Sequence, residues 1–250
     1  MTLRLERDGP TGRLIIDRPE KRNAFTQAMW DALPRLIDEA VADTSIRVVI
    51  LQSAAPGIFC AGADVGEIMG NKDDAQWRAA NQAAINKGQA MLARANKPVI
   101  AMIDGDCVGA GCGLALGCDL RVATPRARFG ITPAKLGLIY PLHDTKLLVE
   151  TVGPSQAKRI FFTGQLLDAA EALRIGLIDM IEDSADTMAA VIAASSAHSN
   201  REMKRFVRRV LDGQVADDAE TLAVFADAFT KPDFLEGVGA FLAKRTPEFK

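Results

Sequence analysis

The sequence predicts an α/β fold for its first half and a run of helices for the rest. Apolar segments typical of buried strands alternate with stretches of helical periodicity as far as residue 123. From Thr145 onward the pattern is helical throughout. Alternation of strands and helices is typical of an α/β domain with crossover connections. We therefore expect such a domain to precede a helical region.

The overall composition excludes several classes of protein. A chain of 250 residues, 48% of them hydrophobic, is long and apolar enough for a large core. A net charge of −2 and the lack of a long basic run give no reason to expect nucleic acid as a partner. No apolar run approaches the roughly 20 residues of a membrane span, and the first residues lack the apolar core of a secretory signal. We therefore expect a cytoplasmic protein that binds neither nucleic acid nor a membrane.

The cysteines and histidines do not have the spacing of a metal site. The cysteines form no C-x-x-C pair, and the chain has two histidines, His143 and His198. A bound metal is therefore not expected. In a reducing compartment the cysteines are expected to be buried free thiols. They are Cys60, Cys107, Cys112 and Cys118.

The first predicted elements are a strand and a long helix. Leu14–Asp17 is predicted to be a strand that follows a turn at Asp8-Gly9-Pro10. Thr26 can cap a helix that runs to about Ala42, because apolar residues recur along it at helical spacing. Pro34 lies inside this helix, where a proline can introduce a kink.

Three strands and a second long helix follow. Strands are predicted at Val48–Leu51, Pro98–Ile103 and Leu120–Ala123, and a helix from about Ala75 to Ala95. The candidate helices of the second half cover about 145–152, 155–162, 168–175, 184–197, 200–211, 217–229 and 234–243.

The stretch Asp104–Asp119 consists almost entirely of small residues and follows a buried strand. It predicts a tight turn and then, from Ala110, a helix buried on all sides. The unpaired N–H groups at such a helix start suit an anion or a developing oxyanion. The alternating glycines match neither the dinucleotide-binding fingerprint nor the P-loop. Taken alone, the stretch favours a tight turn with close helix packing over a binding site.

A second stretch, Phe59–Met69, has the same organisation. It follows the apolar run Arg47–Leu51 and leads through a small-residue turn into a helix with Asp64 and Glu67 in its first turn. Two such turns can each offer one backbone N–H to the same oxygen. That arrangement is an oxyanion hole made of main chain.

Several segments together resemble the enoyl-CoA hydratase/isomerase (crotonase) superfamily, and they run nearly from end to end of the chain. They are Asp17–Phe25, Phe59–Met69, Asp104–Asp119, Phe129–Leu138, Gly164–Ile178 and Glu236–Arg245. The resemblance implies a superhelix of repeated ββα units over residues 1–195 and a C-terminal helical region over residues 196–250. It also implies a homotrimer or a dimer of trimers, in which the C-terminal helices cover a neighbouring subunit.

The resemblance further implies that the partner is an acyl-CoA thioester and that the enzyme stabilises a thioester enolate. By motif position, the oxyanion donors are the N–H groups of Ala63 and Ala110. No cofactor is implied other than the coenzyme A portion of the substrate. The positions implied to contact that portion are Lys21, Arg22, Ala24, Ala61, Asp64 and Val65, with Phe225 and Lys244 reaching a neighbouring subunit. For the three basic residues, a solvated surface charge is an equally good interpretation.

The two glutamates that activate water in hydratases of this superfamily are absent. Their positions are occupied by Gly113 and Pro133, and neither residue can carry a proton. One positioned acid or base contributes roughly 100- to 10,000-fold to the rate. The sequence therefore argues against hydration by two glutamates and against double-bond migration by one.

The stretch Thr132–Tyr140 resembles the matching part of methylmalonyl-CoA decarboxylase, which implies Tyr140 as a proton donor or carboxylate partner. Decarboxylation needs no base at the α-carbon. The match is partial, because the decarboxylase has a histidine where this chain has Ala63. His143 and Asp144 lie just beyond. One alternative is that they face the pocket, but we expect them to form a surface turn.

These features leave three functional hypotheses. The preferred one is a lyase that decarboxylates a malonyl-type thioester in a backbone oxyanion hole. The second is a protein that binds acyl-CoA or assists assembly without catalysis. The third is an enoyl-CoA hydratase or isomerase that uses other residues.

Overall fold

The computed structural model describes residues 2–249 and confirms the predicted α/β class. The strands are β1 Leu3–Asp8, β2 Thr11–Ile16, β3 Val48–Ser53, β4 Ile58–Cys60, β5 Val99–Ile103, β6 Asp106–Val108, β7 Leu120–Ala123, β8 Arg128–Gly130, β9 Leu167–Asp168 and β10 Met180–Ile181. The helices are α1 Gln27–Ala42, α2 Val65–Gly70, α3 Ala75–Arg94, α4 Ala110–Gly117, α5 Leu142–Thr163, α6 Ala169–Arg174, α7 Asp186–Ala193, α8 Ala197–Leu211, α9 Ala219–Ala228 and α10 Pro232–Leu242.

The strands form two sheets, and the chain passes from one to the other repeatedly. The larger sheet has the order β1-β2-β3-β5-β7-β10, and the smaller has the order β4-β6-β8-β9. β3, β5 and β7 pair in parallel, and the strand that follows each of them lies in the smaller sheet. Each pair of strands is followed by a helix, which makes the repeated ββα unit of the expected superhelix.

The short strands were not predicted from the sequence. β4, β6 and β8 have three residues each, too few for a period-2 pattern. β9 and β10 contradict the expectation that the chain is entirely helical after Thr145. These two strands exist because they pair with β8 and β7, which lie far away in the sequence.

The helices follow the predicted pattern closely. Thr26 caps α1, with its hydroxyl oxygen accepting the N–H of Met29 at 3.3 Å. α1 continues through Pro34, which is buried. The two helices predicted at 145–152 and 155–162 are halves of α5, separated by Gly153 with a φ of 74°.

Helix α4 lies in the centre of the core, as predicted. Every residue from Gly111 to Gly117 is buried, and the helix packs against α3, α5 and β4. Large buried side chains such as Trp30 and Phe59 belong to the same core. In the described part of the chain, no helix has both the length and the apolar character to cross a membrane.

The C-terminal helices differ from this core. Lys204 holds α8 against the core. Its ammonium group donates to the carbonyls of Leu92 and Lys97 and pairs with Asp119 at 2.7 Å. α9, the residue that follows it and α10 carry large exposed apolar side chains, which include Leu222, Phe225, Phe229, Leu235, Phe241 and Leu242. The boundary at residue 195 and the trimeric assembly stay predictions.

Candidate active site

The two small-residue turns predicted from the sequence lie against each other. The backbone of Phe25 is hydrogen-bonded to the residues on both sides of Ala63. Its N–H donates to Gly62 O at 2.8 Å, and its carbonyl accepts from Asp64 N–H at 2.9 Å. A Cβ built on Gly62 would lie 3.4 Å from the amide nitrogen of Ala110. The Ala63 and Ala110 segments therefore lie side by side, with no room for a side chain between them.

Backbone contacts fix the turn before α4. Gly109 has a φ of 55°, which favours glycine, and its N–H donates to Gly130 O at 2.7 Å. A Cβ on Gly111 would lie 2.4 Å from the carbonyl oxygen of Cys60. Only a glycine at position 111 lets α4 approach the first turn this closely.

The amides of Ala63 and Ala110 are both free. Within residues 2–249, neither N–H donates to a protein acceptor. Ala110 is also the first residue of α4, where the helix dipole favours negative charge. Two free N–H donors on touching segments can stabilise a developing oxyanion, provided that a substrate oxygen reaches both.

The carboxylate of Asp64 holds the first turn in place. Its Oδ1 accepts Glu67 N–H at 3.1 Å and caps α2, and its Oδ2 accepts from Arg18 at 2.7 Å. The bond from Arg18 lowers the pKa of Asp64. Arg18 also donates to the carbonyl of Ala24 at 2.8 Å. The sequence reasoning did not identify Arg18, although it lies within the matching segment Asp17–Phe25.

The other residues predicted to contact coenzyme A surround this turn. Ala61 N–H donates to the carbonyl of Arg22 at 3.0 Å, so the segment that contains Lys21 and Ala24 lies beside it. The side chain of Lys21 is exposed, as is Val65 at the start of α2. Arg22 is exposed but paired with Asp106, which also accepts from Arg128.

Phe225 and Lys244 are not brought to the turns within the single chain. Phe225 lies on α9, 64% exposed, and its ring contacts Phe229. Lys244 follows α10 and is exposed, with a φ of 53°. Nowhere in residues 2–249 does a hydrogen bond or ring contact join either of them to the two turns. Their contact with a ligand across a subunit interface stays a prediction.

Tyr140 reaches the central turn. Its hydroxyl donates to the carbonyl of Gly109 at 3.2 Å, next to the free amide of Ala110. The ring packs against Phe161 with centroids 5.5 Å apart. Burial raises the pKa of Tyr140 well above its ordinary value, and the carboxyl of Asp144 adds to the shift. The phenol is therefore protonated at neutral pH.

At Gly113, the space in front of the missing side chain is occupied by two other residues. A Cβ there would lie 2.3 Å from Gln89 Nε2 and 2.8 Å from Asp144 Oδ1. Pro133 begins a short 3-10 turn after β8. Neither position offers a carboxylate, in agreement with the sequence.

The expected surface position of Asp144 is wrong. Asp144 lies in the first turn of α5, is 3% exposed, and accepts a hydrogen bond from Gln89 Nε2 at 2.8 Å. Burial raises the pKa of its carboxyl group. The sequence did contain one indication that a side chain such as that of Asp144 is buried here. A glycine in the middle of a buried helix leaves a volume that another side chain must fill.

The four cysteines are free and buried, as expected. Burial raises the pKa values of Cys60 and Cys118 to about 12, and it raises that of Cys107 as well. These three thiols are protonated at neutral pH, so none of them is an activated nucleophile.

The chain is similar to known proteins over nearly its whole length. The family model described as enoyl-CoA hydratase/isomerase matches residues 11–250. The 2,3-dehydroadipyl-CoA hydratase of Escherichia coli is 34% identical over 251 residues, which cover 95% of this chain and 94% of that protein. An enoyl-CoA hydratase/isomerase family protein from Hyphomonas neptunium has a similar structure, with a TM-score of 0.95, 38% identity, and coverage of 100% of this chain and 98% of that one. The enoyl-CoA hydratase of Bacillus anthracis gives a TM-score of 0.90 at 28% identity, covering 100% and 99%.

Proposed function

This chain belongs to the enoyl-CoA hydratase/isomerase family, and from that premise we propose that it stabilises a thioester enolate with the N–H groups of Ala63 and Ala110. The observation that carries the proposal is the contact between two turns whose amides are both free. In an acyl-CoA thioester, negative charge moves to the carbonyl oxygen when a proton or CO2 leaves the α-carbon and the bonding electrons stay behind. One backbone donor aimed at that oxygen is worth about 3 kcal/mol.

Within this class, the reaction is a decarboxylation of a malonyl-type thioester. The carbon–carbon bond to the carboxylate breaks, CO2 leaves, and the electron pair forms the enolate. The α-carbon then takes a proton from the hydroxyl of Tyr140. The buried phenol supports this assignment, because a protonated tyrosine can donate a proton but cannot remove one. The absence of a carboxylate at Gly113 and Pro133 supports it as well.

The coenzyme A portion lies along the first turn, in contact with Ala61, Val65 and the segment from Lys21 to Ala24. Phe225 and Lys244 act on the coenzyme A of a neighbouring subunit in a trimer or a dimer of trimers. The reaction requires no cofactor beyond the substrate.

The test is mass spectrometry on a pool of thioesters incubated with the protein in D2O. The pool contains crotonyl-, 3-enoyl-, methylmalonyl- and saturated acyl-CoA. We expect loss of CO2 from one thioester, reduced about 100-fold in Tyr140→Phe, as for removal of a general acid. Deuterium at the α-carbon alone would support the oxyanion hole and contradict the decarboxylation.

Two further results would contradict the proposed reaction as a whole. Rapid addition of water to crotonyl-CoA would show that a residue other than Gly113 or Pro133 activates water. Binding of thioesters with no exchange and no product would favour a protein that has lost catalysis.

A further inference from the structure

We propose that Arg22 and Arg128 together bind a phosphate group of coenzyme A, and that Asp106 holds their guanidinium groups in position. The inference rests on the proposed function, because it assigns the residues that recognise the phosphate end of the same substrate. Arg128 lies on β8, far from Arg22 in the sequence, and is not among the positions that the family resemblance implies for coenzyme A.

Both guanidinium groups bond to the same oxygen atom. Asp106 Oδ2 accepts from Arg22 Nη2 at 2.5 Å and from Arg128 Nη2 at 3.0 Å, and its Oδ1 accepts from Arg128 Nε at 2.7 Å. The side chain of Asp106 is 10% exposed, whereas those of Arg22 and Arg128 are 63% and 56% exposed. A buried carboxylate therefore holds two guanidinium groups side by side at the surface.

The charges of this arrangement do not cancel. One carboxylate neutralises one guanidinium group, and within residues 2–249 no other carboxyl group forms an ion pair with Arg22 or Arg128. Asp168 lies opposite Arg128 on β9, but its Oδ1 accepts from the N–H of Glu171 at 2.8 Å and caps α6. The two arginines with Asp106 therefore carry one positive charge in excess, which attracts an anion.

The two side chains also keep hydrogen-bond donors for a ligand. A guanidinium group has about five N–H donors. Asp106 takes one from Arg22 and two from Arg128, and no other acceptor in residues 2–249 takes the rest. The planar fork of arginine matches phosphate oxygens. Because Asp106 already orders both side chains, binding a phosphate costs less conformational entropy.

The arginine pair lies beside the first turn of the site. The carbonyl of Arg22 accepts the N–H of Ala61 at 3.0 Å, and Ala61 is close in sequence to the proposed donor Ala63. Asp106 begins β6, which ends just before Gly109 and spans about 10 Å. The long pantetheine arm of coenzyme A can span such a distance. A phosphate can therefore meet the pair while the thioester oxygen meets the two turns.

The experiment is calorimetric titration with three ligands that carry the same acyl group. Acetyl-CoA has all the phosphates, acetyl-dephospho-CoA lacks the 3′-phosphate, and acetylpantetheine has none. We expect Arg128→Gln and Arg22→Gln each to weaken binding of acetyl-CoA by about 10-fold, as for the loss of a hydrogen bond to a charged group. Binding of acetylpantetheine should not change in either variant.

The second ligand identifies which phosphate is bound. If the pair holds the 3′-phosphate, Arg128→Gln will not alter the affinity for acetyl-dephospho-CoA. If the pair holds the diphosphate, the loss of about 10-fold will persist with that ligand. Either result supports the proposal, because the effect of the substitution then follows the presence of a phosphate.

Arg174→Gln is the matched control. Arg174 donates to both oxygens of Glu171 at 2.6 and 2.7 Å and is 61% exposed, and Arg159 pairs with the same carboxylate. The geometry is that of Arg128 and Asp106, but it lies on α6 and has no bond to the first turn within residues 2–249. Arg174→Gln should leave all three affinities unchanged. An equal loss in this variant would assign the effect to overall charge and overturn the proposal.

The remaining outcomes separate this proposal from the proposed function. Wild-type affinity for acetyl-CoA in Arg128→Gln, or an equal loss for acetylpantetheine, overturns the phosphate site. If neither variant folds, a wild-type protein that binds acetylpantetheine as tightly as acetyl-CoA still overturns it. Phosphate-dependent binding without turnover or α-proton exchange contradicts the proposed reaction and leaves the phosphate site standing. A wild-type protein that binds none of the three ligands contradicts both.

Discussion

The two turns that meet at the candidate site are held in different ways. The turn before α4 is fixed by backbone packing, with glycines at positions where a side chain would overlap the main chain of its neighbour. The turn before α2 has two backbone hydrogen bonds with Phe25 and is otherwise held by polar side chains, chiefly Asp64 with Arg18 and Glu67 with the start of α1. The helix that follows the first of these turns is buried from Gly111 to Gly117, while α2 exposes Val65 and Met69 to solvent.

This difference indicates that one turn of the site is rigid and the other is adjustable. A turn that is fixed by van der Waals contact has no alternative position at low energy, because packed interiors resist small changes in volume. A turn that is held by hydrogen bonds and one ion pair can adjust when a ligand binds, since each of these bonds is individually weak. The comparison predicts that an added side chain at the turn before α4 lowers the free energy of unfolding more than the loss of a polar side chain at the turn before α2.

The largest effect is expected for Gly111→Ala. Its Cβ would lie 2.4 Å from the carbonyl oxygen of Cys60, and neither backbone can move freely. We expect a loss of about 3 kcal/mol in the free energy of unfolding, as for severe overpacking. Urea denaturation measures it.

Gly70→Ala on α2 is the matched control for this substitution. No atom lies within 4 Å of a Cβ at that position, so the change should be within about 0.5 kcal/mol. Similar losses for the two variants would contradict the packing account of the central turn.

An intermediate effect is expected for Asp64→Ala. The variant loses the cap of α2 and the pair with Arg18, which together amount to about 2 kcal/mol. Because Arg18 lowers the pKa of Asp64, the contribution of this carboxylate is present above the ordinary value of about 4 and is lost as pH falls through the lowered pKa. Denaturation at several pH values should show the difference from the wild type shrinking below pH ~4.

Asp73→Ala is the control for Asp64→Ala, since the carboxylate of Asp73 is 88% exposed and, within residues 2–249, pairs with the neighbouring Lys72 alone. It should change stability little at any pH. An Asp64→Ala deficit that is independent of pH would mean that the charge of Asp64 does not contribute.

The smallest effect is expected at Glu67. Its Oε2 accepts the N–H of Gln27, the first residue of α1, at 2.8 Å. Glu67→Gln keeps an acceptor and should cost about 0.5 kcal/mol, while Glu67→Ala loses it and should cost about 1 kcal/mol. Equal losses in thermal denaturation would assign the effect to charge and not to the hydrogen bond.

Much of the fold was accessible from the sequence because its elements carry local signals. The cap at Thr26, the apolar run of Val48–Leu51 and the small residues of α4 each determine an element without reference to distant residues. β9 and β10 carry no such signal, since two residues become a strand only when a partner strand is already present. The handed arrangement of the ββα units came from the family resemblance and not from periodicity.

The site was predictable only where it is made of main chain. Ala63 and Ala110 could be located because the turns that contain them have a distinctive composition. Asp144 could not, since its burial depends on Gln89 of α3 and on the missing side chain of Gly113. The interpretation of His143 and Asp144 as a surface turn followed their local polarity, which long-range packing overrides.

The contact of Gly111 with the carbonyl of Cys60 also bears on how the protein is made. The two turns belong to successive ββα units, so the first unit leaves the ribosome before its counterpart has been synthesised. A nascent chain that ends before α4 has the Ala63 amide but lacks the second donor, the amide of Ala110. The oxyanion site therefore forms only after both units have folded and docked, and a truncated or partly folded chain has no competent site for a thioester.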